Sequence, residues 1–199
     1  MLMKALKLCL AAAIAISVAS CSDTPKTDNV TNHEDTAVLK GDDQPVGTPK
    51  AEDAWASVDW NSPVVQYDEV KSKDVDVRGT DQYTIYGLGE NVLFESGKAD
   101  IKKSAAANLS QVAASINQRY AGGKVKVYGY TDDKGSDEAN KALSRQRAEA
   151  VMSWLTTDGA ISAERIVMYA EGEERPVASN ENASGRQQNR RVEIVAMKP

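Results

Sequence analysis

Over residues 81–199 the apolar positions follow two rhythms, one of two and one of three to four, and the switches between them mark strands and helices. Tyr83-Thr84-Ile85-Tyr86 alternates and predicts a strand that Gly87 and Gly89 break. Val92-Leu93-Phe94 predicts a second short extended piece, followed by a turn at Ser96-Gly97. From Ile101 to Tyr120 the apolar residues Ile101, Ala105, Leu109, Val112, Ile116 and Tyr120 step by four and three, an amphipathic helix closed by Gly122-Gly123. Lys124 to Tyr130 alternates as a strand with one buried face. A second helix starts at Ser136 or Asp137 and runs to Thr157, with Gly159 as its stop. Ser162 to Arg165 fits one helical turn, Ile166 to Ala170 a strand, and Arg191 to Met197, where Val192, Ile194 and Ala196 alternate, the last strand. Between these two strands lies an expected long loop, Gly172 to Asn189. Strands alternating with two helices predict an α/β fold: a small two-layer sandwich, with a mixed sheet of about four strands and both main helices on one face.

Upstream the pattern changes. Residues 1–20 carry Lys4 and Lys7, then an apolar run from Leu8 to Val18, then Ala19 and Ser20, which is the layout of a secretory signal. Val18-Ala19-Ser20-Cys21 resembles a lipobox, whose cysteine would be acylated and become the new N-terminus; an ordinary signal peptide is the alternative. Several acyl chains on Cys21 would make a stable anchor where one would not. Ser22 at the position after it resembles an outer-membrane sorting signal. Residues 21–54 are polar and hold almost no large apolar residue, so they read as the lipidated cysteine and a disordered linker that also carries His33. At roughly 30 Å as a coil, such a linker is a slack tether. Residues 55–80, with Trp55, Trp60, Val64, Val65, Tyr67 and Pro63, are too apolar for free linker and too irregular for a helix, and read as an arm packed on the domain. Residues 81–199 form the domain.

Composition narrows the chemistry. With 199 residues the chain holds one domain and a tail. Its net charge of −5 would fall to −7 without Lys4 and Lys7, which argues against nucleic acid as partner. The only cysteines are Cys9, lost with the leader, and Cys21, so the mature chain has no disulfide. With neither cysteine nor histidine in the folded part, thiol nucleophiles, most triads and zinc sites are excluded, and no metal or cofactor is expected.

The chemistry that remains centres on Tyr130-Thr131-Asp132-Asp133-Lys134-Gly135 and the helix after it. Leu143, Arg147, Val151 and Leu155 recur every four residues, so Arg147 points where the apolar residues point. A guanidinium so placed needs an anion beside it or a wet cleft before it, and Asp132 is the nearest candidate in sequence. The two predict a charged pair at the mouth of a shallow site that reads a small zwitterionic group; a helix cap with a structural salt bridge is the alternative. An enzyme using Asp132, Asp133 and Asp137 as acid and base is a competing reading, but Asp and Gly cluster in turns for backbone reasons, and the chain is read as non-catalytic. A third reading is a scaffold lipoprotein whose arm at 55–70 binds an envelope protein.

Val92 to Ala99, then Gly129-Tyr130-Thr131-Asp132 with Gly135, Asn140, Leu143-Ser144 and Arg147-Ala148, then Gly172, Pro176 and Asn180, then Gly185-Arg186 and Asn189 to Glu193 together resemble the OmpA-like peptidoglycan-binding domain. The resemblance covers about residues 85–197. It implies a non-catalytic domain that binds the diaminopimelate side chain of the peptidoglycan stem and tethers the outer membrane to the wall. Asp132 would take the ammonium and Arg147 the carboxylate, with Thr131, Asn140 and Leu143 lining the site. The loop Phe94 to Gly97, with Ser96, would offer backbone amides, and Arg191 would give support from the final strand. Arg190 and Arg191 should face opposite ways, so at most one lines the site. Where relatives commonly place Asp after the Phe of the first motif, this chain has Glu95.

Overall fold

The computed structural model describes residues 55–199, so the expected signal segment, Cys21 and the linker lie outside the described residues. Its elements are β1 (Val75–Gly79), β2 (Tyr83–Gly89), α1 (Glu90–Leu93), α2 (Ala106–Arg119), β3 (Val125–Tyr130), α3 (Asp137–Thr157), β4 (Ile166–Gly172), α4 (Ala183–Asn189) and β5 (Arg191–Met197), with short 3₁₀ turns at Lys103–Ala105 and Ala163–Arg165.

One mixed sheet joins the strands in the order β1-β2-β5-β3-β4, antiparallel throughout except between β3 and β4. The last strand is therefore central. Alternation sends Val192, Ile194 and Ala196 of β5, Val125 and Val127 of β3, and Tyr86 and Leu88 of β2 to one face, against Leu109, Val112 and Ile116 of α2 and Ala148, Val151 and Leu155 of α3. Both main helices thus cover one face of the sheet. Ser136 starts α3 by accepting a hydrogen bond from the Ala139 N–H at 3.3 Å, with Asp137 and Glu138 in the first turn where the helix dipole favours them.

Three expectations need correction. The sheet has five strands, because Val75 and Val77 of the supposed arm alternate inward and add β1. Glu90–Leu93 is a helical turn rather than extended chain, since the Phe94 N–H closes on the Glu90 carbonyl at 2.8 Å. The loop 172–189 ends in α4, opened by Asn182, whose side chain accepts from the Gly185 N–H at 2.8 Å.

Residues 55–74 form a strap around the β1 edge. On the face away from the helices, Val58, Trp55 and Trp60 pack with Tyr83, Ile85, Tyr128 and Tyr130. Pro63 and Val65 then hydrogen-bond β1, at 3.0 Å to Gly79 and 2.9 Å to Val77, which covers an otherwise open strand edge. On the helix face, Val65, Tyr67 and Val70 join the main core. Glu69 fastens this end to α2 through both oxygens, which accept from Arg119, and through Ser115 at 2.8 Å.

Candidate functional site

The ends of β2 and β3 and the start of β5, the three inner strands, meet at one end of the sheet, where Gly89 pairs with Arg191 and Gly129 with Val192. Glu90, Thr131, Asp132 and Arg190 follow or precede those strands directly, and α3 lays Asn140, Leu143 and Arg147 over them. Together with Ser96, Gly97 and Lys134 they line a pocket of about 380 Å³. Phe94 lies beneath it, fully buried, with the Arg147 guanidinium carbon 5.6 Å from its ring centre. Glu95, exposed, leans toward Lys102 at 3.9 Å and does not line the pocket.

Arg147 is 1% exposed. Its Nε donates to the Lys98 carbonyl at 3.2 Å and its Nη2 to Glu90 Oε1, while Nη1 is buried without a partner. Burial pulls its pKa below the usual guanidinium range, with Glu90 opposing. A buried donor left unpaired is costly and calls for an explanation, of which an absent ligand is one. Thr131 Oγ1, on the same pocket, is likewise buried and unpaired.

Asp132 is held by its own turn, Oδ1 accepting from the Lys134 N–H at 3.2 Å. Its Oδ2 accepts from Arg190 Nη1 at 2.6 Å, and Arg190 Nε donates to Glu90 Oε2. Burial works against the Arg190 charge, but the hydrogen bonds to Asp132 and Glu90 outweigh it and raise its pKa. The direct Asp132–Arg147 pair expected from spacing is therefore not formed. The charges instead alternate in a chain, Arg147, Glu90, Arg190, Asp132, and Glu90 and Arg190 are the two members that spacing did not reveal.

Asn140 Nδ2 donates to the Asp132 carbonyl at 3.2 Å and to Glu173 at 3.0 Å, so it braces the turn as well as lining the pocket. Of the expected residues, Phe94 and Arg191 do not line the pocket, Phe94 because it is buried under it and Arg191 because it turns away. Arg191 projects to the other face of the sheet, where it donates to Glu193 and to the Asn189 and Arg175 carbonyls and lies 3.9 Å over the Tyr130 ring. Arg190, sharing the helix side, takes the place foreseen for it. The Arg191 side lines a larger hollow of about 540 Å³, floored by Gly87 and Gly89. There Arg78 and Arg191 both donate to Glu193, leaving little unbalanced charge for a ligand to meet. Among the described residues no three His, Cys, Asp or Glu side chains gather as metal ligands.

Fold and pocket define a small α/β module with a charge-balanced recess at the end of its sheet. Residues 93–190 match the OmpA family. Over 127 residues the chain is 39% identical to the probable lipoprotein YiaD of Escherichia coli, a stretch covering 64% of this chain and 57% of that protein. It is 32% identical over 114 residues to the peptidoglycan-associated lipoprotein of Mesorhizobium japonicum, covering 57% of this chain and 67% of that one. The cell wall anchor of the type VI secretion system (T6SS) from Pseudomonas aeruginosa superposes with a TM-score of 0.59 at 27% identity, over 66% of this chain and 93% of that one. The chain belongs to the OmpA family.

Proposed function

We propose that this protein is a non-catalytic anchor that holds peptidoglycan by the free amino-acid end of a diaminopimelate stem peptide. The observation that carries the reading is Arg147, a fully buried arginine on the pocket wall with one nitrogen left unpaired. A ligand carboxylate would accept from Arg147 Nη1, with Thr131 Oγ1 in reach of the same recess. The ligand ammonium would go to Asp132, whose carboxylate has acceptor capacity beyond its two present bonds. Because Glu90 already holds Nη2, the carboxylate would be gripped by one guanidinium nitrogen rather than two. The wall-related names of two relatives, the peptidoglycan-associated lipoprotein and the cell wall anchor, support the same ligand class.

An acyl group on Cys21 would place the protein in the outer membrane with the domain in the periplasm, and residues 22–54 would give it reach. A membrane-held domain before a repeating polymer works at high effective concentration, so each contact need only be weak. The test is sedimentation of the full chain in detergent with purified sacculi. Walls containing diaminopimelate should pull the protein down, and walls with lysine, which lacks the distal carboxylate, should not. Equal binding to both would remove Arg147 from the proposed role.

A further inference from the structure

Glu90 stands at the first position of α1, 6% exposed, and both its oxygens are engaged by the pocket's arginines. Oε1 accepts from Arg147 Nη2 and, at 3.4 Å, from the Gly97 N–H, and Oε2 accepts from Arg190 Nε. The consequence is a division of labour on Arg147: one nitrogen to Lys98, one to Glu90, one free. Arg190, held by the same carboxylate, is aimed at Asp132. With Glu90 present, two arginines face two carboxylates. Without its charge, Arg147 and Arg190 would face Asp132 alone, and the recess would carry a net positive charge. Lys134 also lines the pocket, but its ammonium leans to Asp133 at 3.8 Å and is two-thirds exposed.

We infer that Glu90 is a positioning and specificity-determining residue, which keeps the pocket neutral and so selects a zwitterionic amino-acid end over a bare carboxylate. The inference rests on the proposed ligand class and names what tunes it. A zwitterion adds no net charge and meets both Arg147 Nη1 and Asp132. A bare anion meets one guanidinium nitrogen, leaves Asp132 without its ammonium, and brings a charge that the neutral recess does not offset, an imbalance felt more strongly in a buried site than at the surface.

The experiment measures, by calorimetry on the full chain in detergent, the affinities for two soluble probes. One is a diaminopimelate muropeptide with its side-chain ammonium free, the other the same peptide with that nitrogen acetylated. Wild type should prefer the free form by about tenfold or more, the worth of one charge-assisted bond. Glu90→Gln should bring the ratio close to one, weakening the free form and strengthening the acetylated one. Glu90→Asp, which keeps the charge, should retain the preference. Glu90→Gln combined with Arg190→Gln, which restores neutrality, should recover it. Arg190→Gln alone should push the ratio beyond wild type, and that variant carries the test if Glu90→Gln does not fold. A ratio unmoved by Glu90→Gln or Arg190→Gln, whether both affinities fall together or neither changes, overturns the role of Glu90 and leaves the ligand class standing. Wild type that binds neither probe overturns the ligand class and the inference with it.

Discussion

Gly129 on β3 lies so close to the Ser144 carbonyl on α3 that a methyl carbon added there would stand 2.2 Å from the oxygen. Backbone, not a flexible side chain, is what it would strike. This contact sets the distance between the strand that delivers Asp132 and the helix that carries Arg147. Gly129→Ala should push α3 outward, destabilise the domain by about 1–3 kcal/mol, and weaken sacculus binding by more than the unfolded fraction explains. Denaturant titration and sedimentation on the same sample separate the two effects.

Removing Arg147 should damage stability as well as binding. Arg147→Ala leaves Glu90 buried beside one arginine instead of two, and breaking a buried pair costs about 3–5 kcal/mol. Arg147→Met with Glu90→Gln should recover much of that stability while binding stays lost. Recovery of binding in the double variant would show that the arginine's role is structural.

The strap supplies the pH dependence. Hydrogen bonds from Arg119 hold the Glu69 carboxyl well below its usual 4.5, at about 2, with burial opposing and Ser115 assisting. A carboxylate with a depressed pKa contributes its full stabilisation above pH 4.5 and loses it as the pH falls through about 2. The unfolding midpoint should therefore drop across that window. In Glu69→Gln the drop should be shallower, and the variant should be less stable at neutral pH by about 1 kcal/mol or less, the worth of an ion pair near the surface.

Trp60 joins the strap to the sheet, edge-on to Tyr128 at 5.1 Å and beneath the Arg175 guanidinium at 3.5 Å. Trp60→Ala removes an aromatic pair and a cation–π contact, together worth about 1–3 kcal/mol. It should lower the melting temperature while leaving the affinity of the folded fraction for sacculi unchanged, because the pocket lies at the strand ends on the helix side.

Pattern alone placed β5 at Arg191–Met197 and carried α3 from Asp137 to Thr157, because each buries a long, regular face. It missed β1, where only Val75 and Val77 alternate, and α4, whose Ala-Ser-Gly-Arg-Gln-Gln-Asn run has no apolar stripe and is held by the Asn182 cap and the Asn189 side chain. Asp132 and Arg147 were legible from their spacing, and their link was not. Glu90 sits between a glycine-broken strand and a short apolar run, where no periodicity distinguishes it, and its partners lie 57 and 100 positions away. The wrong choice between Arg190 and Arg191 has a simple cause. Alternation shows that the two diverge, but only the orientation of β5 in the sheet decides which one turns toward the helices.

The central place of β5 governs how the domain can come into being. Until residues 191–197 arrive, β2 and β3 have no strand between them, and the sheet is two separate fragments. The two pairings that unite the sheet, β2 with β5 and β5 with β3, thus wait for residues 191–197, and this non-local pairing makes assembly slow compared with a helical bundle. The domain therefore stays in two parts until residues 191–197 have been made, and truncation anywhere before Arg191 should abolish the fold rather than trim it.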